Sequence, residues 1–340
     1  MQKRILLFLS HTFFIVLYLW MTSLTAFATS TSSTAKTRPL MLYMTLMWGA
    51  NANQLRSFGI NNYVSTNAVG GFNWETDLPT GIDISANGNT LYVAGGKNNT
   101  LDIVDISTPT AVRVASVAVG ATPVGVVAAP NGSFVYVANY GSNTVSVINA
   151  ANRQVVATIP AGENPHGIAI TPNSKYVYVT NASADTVSVI ETSSHTVIKT
   201  IPVERTPLVV VVAPNGEKAY VVNSVRENIS VIDIATQEVT ATIEVNNRPM
   251  GLVFNSDGSK LYIVQNQGDS ISIWNVRNAV IEGWIPVAAR PIGISITPDN
   301  SLLFVSQALS DIITRVDLTH FTTGEIRVTG HQNMLGRFVG

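Results

Sequence analysis

From Pro79 onward the chain is a succession of short apolar runs separated by polar punctuation. The stretch VYVTN at 177–181 lies between a turn-like ITPNSK and a strand-like DTVSVIE. Runs of four to seven residues rich in Val, Ile, Thr and Tyr, bounded by Gly, Pro and Asn, predict β-strands. Branched and aromatic side chains pack well on a pleated surface, and the bounding residues accept turn geometry.

The pattern is periodic. Prolines recur at 79, 123, 165, 207, 249 and 291, spaced by 44 and then four times by 42. Tyr92, Tyr136, Tyr178, Tyr220 and Tyr262 keep the same step, with Phe304 in the sixth copy. Each copy reads as Pro-x-Gly with a β-branched run, a turn, a V-Y-V-like strand, a polar loop, a T-V-S-V-I-like strand and a last strand such as VVATIP. Four antiparallel strands in a repeat of about 40 residues predict a propeller blade, and radial closure of such blades protects most sheet edges.

Proline at the start of the innermost strand loses no needed N–H, and glycine two positions on lets neighbouring strands crowd near the axis. Asn87-Gly88, Asn131-Gly132, Asn215-Gly216 and Asp257-Gly258 supply the hairpin turns. Pro160, Pro202 and Pro286 fall on the outermost strand, where they block strand addition to an exposed edge.

Six full copies occupy about 79–330. At the C-terminal end, Met334-Leu335-Gly336 lies 43 residues beyond Pro291-Ile292-Gly293, so 333–340 resembles an innermost strand without partners. At the other end, 40–77 supplies matches to the second, third and fourth strands but not the first. The expected fold is an all-β, seven-bladed propeller of four-stranded antiparallel blades, with one blade split between the N- and C-terminal segments. Seven repeats of 42 fit the 312 residues that follow Ala28.

On YVTN at 178–181, VYVAN at 135–139 and the Pro-x-Gly spacing, the chain resembles the YVTN-repeat β-propeller family. The resemblance implies the propeller fold over 38–340 and an exported or surface-layer-like setting. Relatives include surface proteins, domains resembling lactonases and a periplasmic protein associated with DNA binding.

Composition narrows the setting. Lys3 and Arg4 precede an apolar run at 5–21, and Ala26-Phe27-Ala28 forms a small-x-small site, so 1–28 reads as a secretory signal with cleavage near Ala28. An uncleaved N-terminal anchor is the alternative, and only then is a membrane a partner. The Ser/Thr-rich tract at 29–37 reads as a flexible leader. The expected location is extracytoplasmic: secreted, periplasmic or cell-surface. With no cysteine, disulfides, thiolate metal sites and thiol nucleophiles are excluded. Losing Lys3 and Arg4 takes the net charge from −1 to −3, which argues against a polyanion-binding surface.

Candidate chemistry is sought where fourth-to-first connections and second-to-third loops share one face. Just before each inner proline stand Leu78, Thr122, Asn164, Thr206, Arg248 and Arg290. Asn164, Thr206, Arg248 and Arg290 are the ligand-binding candidates there, since guanidinium groups pair with a carboxylate or phosphate. Rim arginines that are solvated or paired with rim acids are the alternative. Between proline and glycine stand Thr80, Val124, His166, Leu208, Met250, Ile292 and Leu335, of which His166 alone titrates. It joins the candidate list, set against a hydrogen-bonded channel lining.

Two polar rings recur in every copy: Asn99, Asn143, Asp185, Glu227, Asp269 and Asp311, and Asp105, Asn149, Glu191, Asp233, Asn275 and Asp317. Such regularity points to turn-capping hydrogen bonds, because a site would break the symmetry. No P-loop, dinucleotide fingerprint, nucleophile elbow or H-E-x-x-H occurs.

The expectation is a non-enzymatic binding or surface scaffold with no catalytic residue, no metal and no cofactor. Its ligand would be a protein, glycan or small molecule on the loop face, nucleic acid is disfavoured, and the chain is expected to be monomeric. A lactonase- or lyase-like propeller enzyme is the alternative, and a periplasmic nucleic-acid-binding propeller the second alternative.

Overall fold

The computed structural model describes residues 24–27, 41–48, 54–59, 65–68, 79–108, 111–308, 312–327 and 337–339. Six four-stranded antiparallel sheets follow one another at 79–118, 123–160, 165–202, 207–244, 249–286 and 291–327, here called blades one to six. Strand order in each is sequential, from an inner strand such as Pro165–Ile170 to an outer strand such as Thr196–Pro202. Every inner strand begins at the repeating proline.

A seventh sheet, of five strands, completes the set. Met41–Trp48, Gln54–Gly59 and Ser65–Ala68 pair in sequence, and Arg337–Val339 pairs antiparallel with Met41–Trp48 through Thr45↔Val339 and Leu46↔Phe338. The terminal strand thus joins the N-terminal three, as the repeat arithmetic predicts. Met334 to Gly336 lies outside the described residues. One strand was not foreseen: Leu24–Phe27, inside the expected secretory signal, also pairs with Met41–Trp48, through Leu24↔Met44 and Phe27↔Leu42.

Apolar burial is organised between blades. One cluster joins Tyr92, Leu101 and Ile103 of blade one to Val126, Val135 and Val137 of blade two. The next joins Tyr136 and Val147 to Val177 and Ile190, and the same arrangement repeats round to blades five and six. A sheet packed on both faces needs apolar residues at consecutive positions, and accordingly VYVT of the recurring motif is buried throughout.

The motif's individual residues have separate tasks. Gly167 N–H donates to Thr180 Oγ1 at 2.8 Å. Asn181 Nδ2 donates to Thr186 Oγ1 and Ser188 Oγ at 3.0 and 2.9 Å, and its Oδ1 accepts from Gly162 N–H. Asn139 and Asn223 make matching contacts to Ser146 and Ser230. The Pro-x-Gly glycine is fixed by close approach: a Cβ on Gly125 would collide with the His166 carbonyl of the next blade. In the hairpin turns only the second residue takes positive φ, as at Gly132 (72°), while Asn131 Oδ1 accepts from Ser133 N–H.

Candidate functional site

The inner strands surround a cavity of about 350 Å³. Its lining is overwhelmingly Val, Ile, Leu and Gly, and Asp83 and His166 are its titratable members. Both stand on inner strands, in blades one and three, brought together by ring closure rather than by sequence proximity.

Asp83 is the fifth residue of Pro79–Ile84, cross-strand from Tyr92. The other copies place Val127, Ala169, Val211, Val253 and Ser295 at that position. Asp83 Oδ2 accepts the Ala128 N–H of the neighbouring blade at 2.7 Å, which orients the carboxyl. The side chain is half-buried in the cavity wall, and desolvation there raises its pKa from 3.8 to about 6. The N–H groups of Ala128 and Ile84 pull in the opposite direction and do not offset it. A carboxyl that titrates near neutrality in an apolar wall is suited to acid–base work.

His166 is 3% exposed, with Nδ1 2.9 Å from the Leu208 carbonyl oxygen. A carbonyl only accepts, so Nδ1 carries the proton in this contact. The Tyr140 ring meets the imidazole edge-on at 6.5 Å. Beside it, Leu208, Met250 and Ile292 pack with Ala182 and Ala308 of the second-to-third loops into a buried cluster. The ring between proline and glycine is therefore packed core at the end of the cavity, with His166 as a hydrogen-bonded member of it.

The ring before the proline serves the backbone. Thr122, Asn164, Thr206, Arg248 and Arg290 all take positive φ, between 51° and 57°. Their N–H groups, that of Arg248 apart, donate to Asn99, Asn143, Asp185 and Asp269 side chains at 2.7–2.9 Å. Asn99, Asn143, Asp185 and Asp269 of the first polar ring are thus loop clamps, as its regularity predicts, and Asp311 lies outside the described residues. The second ring caps turns: Asp233 accepts from Ala235 and Thr236 N–H, Asp317 from Thr319 and His320 N–H. These bonds hold both carboxyls below the usual carboxylate range.

Of the five candidates from sequence, His166 alone lines the cavity. Asn164 is engaged within the fold, donating to the Tyr140 carbonyl at 3.1 Å and accepting from Ser183 Oγ at 2.7 Å. Thr206 and Arg248 are half-buried and Arg290 is exposed, all on the connections ahead of the inner strands. Asp83 was missed, though its signal is legible: it is the one titratable residue at a repeat position that is otherwise Val, Ala or Ser. Among the described residues no group of three His, Asp or Glu side chains lies close enough to hold a metal ion.

Solved structures share the fold. A Bacteroides fragilis protein provisionally described as a 6-phosphogluconolactonase superposes with a TM-score of 0.71 at 16% identity, over 91% of this chain and 100% of its own. A Bacteroides uniformis protein with the same provisional description gives 0.70 at 18%, over 88% and 98%. Kuenenia stuttgartiensis hydrazine synthase gives 0.65 at 21%, over 72% and 78%. No curated protein matches the chain in sequence.

A family profile described as "Lactonase, 7-bladed beta-propeller" matches residues 43–339. This match, with neighbours described as lactonases, overturns the expectation of a non-enzymatic scaffold and favours its hydrolytic alternative. The scaffold reading rested on the expected export, the regularity of the repeat and the absence of a catalytic constellation, whereas two titratable groups, Asp83 and His166, share the cavity wall. The chain belongs to the lactonase family of seven-bladed β-propellers.

Proposed function

We propose that the protein is a hydrolase that opens small cyclic esters in the central cavity, with Asp83 as general base. The observation that carries this is the placement of the Asp83 carboxyl, which stands in an apolar cavity wall and is oriented by Ala128 N–H; desolvation there raises its pKa to about 6. Above that pH the carboxylate takes a proton from water as the water oxygen bonds to the lactone carbonyl carbon. Collapse of the tetrahedral intermediate breaks the ring C–O bond. The departing alkoxide receives the proton, giving one hydroxy acid from lactone and water. The His166 N–H, committed to the Leu208 carbonyl, holds the neighbouring wall in place.

The test is hydrolysis of simple γ- and δ-lactones by the purified protein and by Asp83→Asn. Loss of one positioned general base lowers kcat by roughly 100-fold or more. Activity should rise with pH through about 6, because the ionised carboxyl is the working form. A variant as active as the parent, with an unchanged pH profile, refutes the assignment.

We also propose that the chain is exported and is of the YVTN-repeat branch. Lys3, Arg4, the 5–21 apolar run and Ala26-Phe27-Ala28 support export, and YVTN at 178–181 supports the branch. Intact mass of the protein recovered outside the cytoplasm should correspond to a start at Thr29; a retained leader contradicts cleavage.

A further inference from the structure

We infer that the inner edge of Met41–Trp48 is a strand-accepting slot for which two segments of this chain compete, Leu24–Phe27 and the C-terminal strand. Loss of the signal segment lets the C-terminal strand move into the slot. The inference rests on the cleavage near Ala28 proposed above and names what that cleavage does to the fold.

In the complete blades an inner strand pairs with the second strand in a recurring register. In blade six Pro291 stands opposite Gln307, Ile294 opposite Val305 and Ile296 opposite Leu303. In the seventh sheet Tyr43 takes the place of Phe304, so Leu42, Met44 and Leu46 correspond to Leu303, Val305 and Gln307. With Met334-Leu335-Gly336 as the Pro-x-Gly equivalent, Arg337 belongs opposite Met44 and Val339 opposite Leu42. The strand stands elsewhere: Val339 is opposite Thr45, Phe338 opposite Leu46 and Arg337 opposite Trp48. It stops three residues short of its repeat position, about 10 Å at the rise of an antiparallel strand.

The signal segment fills the remaining stretch. Leu24 stands opposite Met44 and Phe27 opposite Leu42, the two partners that the repeat assigns to Arg337 and Val339. It runs antiparallel to its partner, as an inner strand does, with one extra residue between the two pairs. It also lies beside Pro79–Ile84 and Pro291–Ile296, the inner strands of blades one and six. Arg337–Val339 lies beside Leu302–Gln307, the second strand of blade six. Leu24–Phe27 therefore takes the inner-strand place between these two blades.

One edge cannot pair with two segments at the same residues, so the C-terminal strand reaches its repeat register only when the signal segment is gone. Met41–Met44 would then present unpaired N–H and C=O groups between two sheets, a cost that re-pairing removes. A shift of three residues is odd and turns each side chain to the opposite face, so the strand must leave and pair again. The connection permits this: Met334 follows Arg327 by seven positions, where Pro165 follows Pro160 by five. The exchange puts Arg337 in place of Leu24 at a register position whose counterparts, Ile82, Val126, Ile168, Val210, Leu252 and Ile294, line the cavity.

The chain has no cysteine, so paired substitutions report the register without background. Three double variants of the full chain, each with a protease site inserted after Ala28, are oxidised before and after the cut. They are Leu24→Cys with Met44→Cys, Thr45→Cys with Val339→Cys, and Leu42→Cys with Val339→Cys. A disulfide needs Cα atoms within about 7 Å, which an offset of roughly 10 Å exceeds, so each pair reports one register. Uncut, the first two should crosslink and the third should not. After the cut and gel filtration, the third should crosslink and the second should not. The same pairs crosslinking before and after the cut overturn the inference, as does a signal segment that stays bound. Crosslinking of the third pair in the uncut chain also overturns it, because the signal segment then does not hold the slot. Amide hydrogen exchange of the unsubstituted sequence with the same protease site is the second readout: 42–44 should stay protected throughout, and 337–339 should gain protection after the cut. Loss of protection at 42–44 after the cut sinks the exchange. The added protease makes the result independent of processing by the host, so a retained signal in the intact mass removes the cleavage reading alone.

Discussion

Blade one and blade three carry the same strands in the same register, yet they solve the same local problems with different chemistry. In blade three the end of the second strand is Asn181, whose amide bridges Thr186 and Ser188. In blade one Gly95 holds that place, Asp102 replaces the serine, and Arg113 from the outer strand pairs with Asp102 at 3.4 Å. Asp102 is fully buried and Arg113 is 23% exposed. Blade one also carries Asp83 where blade three has Ala169. The regular blade is neutral inside, and the irregular one holds the buried charges. A neutral amide-hydroxyl network can be repeated in every copy because it is satisfied locally, whereas a buried carboxylate needs its own partner.

The largest effect should come from breaking the charged solution. Arg113→Ala leaves the Asp102 carboxylate buried without its guanidinium, which should cost about 3–5 kcal/mol of unfolding free energy. Chemical denaturation reads this directly, and a loss below about 1 kcal/mol would mean that water reaches Asp102.

Asp83→Asn should move stability the other way. The carboxyl's folded pKa lies above its unfolded value, so the native state holds its proton more tightly and stability falls as pH rises from about 4 to about 6. Above that window the ionised Asp83 is a liability of roughly 2–3 kcal/mol. Asparagine removes it while still accepting from Ala128 N–H. The variant should therefore melt several degrees higher at pH 8 and equal to the parent near pH 3.5. A gain independent of pH would detach the effect from titration.

Gly125→Ala, in blade two, tests the Pro-x-Gly packing that blades one and three share with it. Its Cβ would collide with the His166 carbonyl and sit 3.0 Å from Ile168 Cγ2, so blades two and three must separate locally. Overpacking of this kind costs about 1–3 kcal/mol. Wild-type stability would show that the inner strands have slack.

The smallest effect belongs to the neutral network. Asn181→Ala removes two donated hydrogen bonds and the acceptor for Gly162 N–H, at about 1–2 kcal/mol. If it costs as much as Arg113→Ala, the contrast between the blades does not hold.

The YVTN motif illustrates how far the residues can be read. Tyr178 recurs as an aromatic in all six copies and Asn181 as Asn or Gln in five, because the packing between blades and the amide contacts recur, whereas Thr180 is Ala, Val or Ser elsewhere; the period of the first two exposes the architecture without a structure. The two polar rings were legible as turn and loop caps for the same reason. The site was less legible. His166 follows the repeating proline of its blade and the arginines precede those of theirs, and they look equally promising in sequence. Packing alone separates them, placing the histidine in the cavity wall and the arginines on the loops. Asp83 left a signal, as a lone acid among Val, Ala and Ser at one repeat position, but nothing in the sequence says that this position lines a cavity.

The sequence by itself determined the repeat, the strands, the turn chemistry and the pairing of the terminal strand with the N-terminal three. These depend on short-range geometry and alternation, which lie within one 42-residue copy or follow from its recurrence. Tertiary structure alone decided which end of the cavity is filled, and that Asp83 is desolvated by a neighbouring blade and held by Ala128. Those properties arise from groups dozens of residues apart in the chain, and only closure of the ring excludes water from between them.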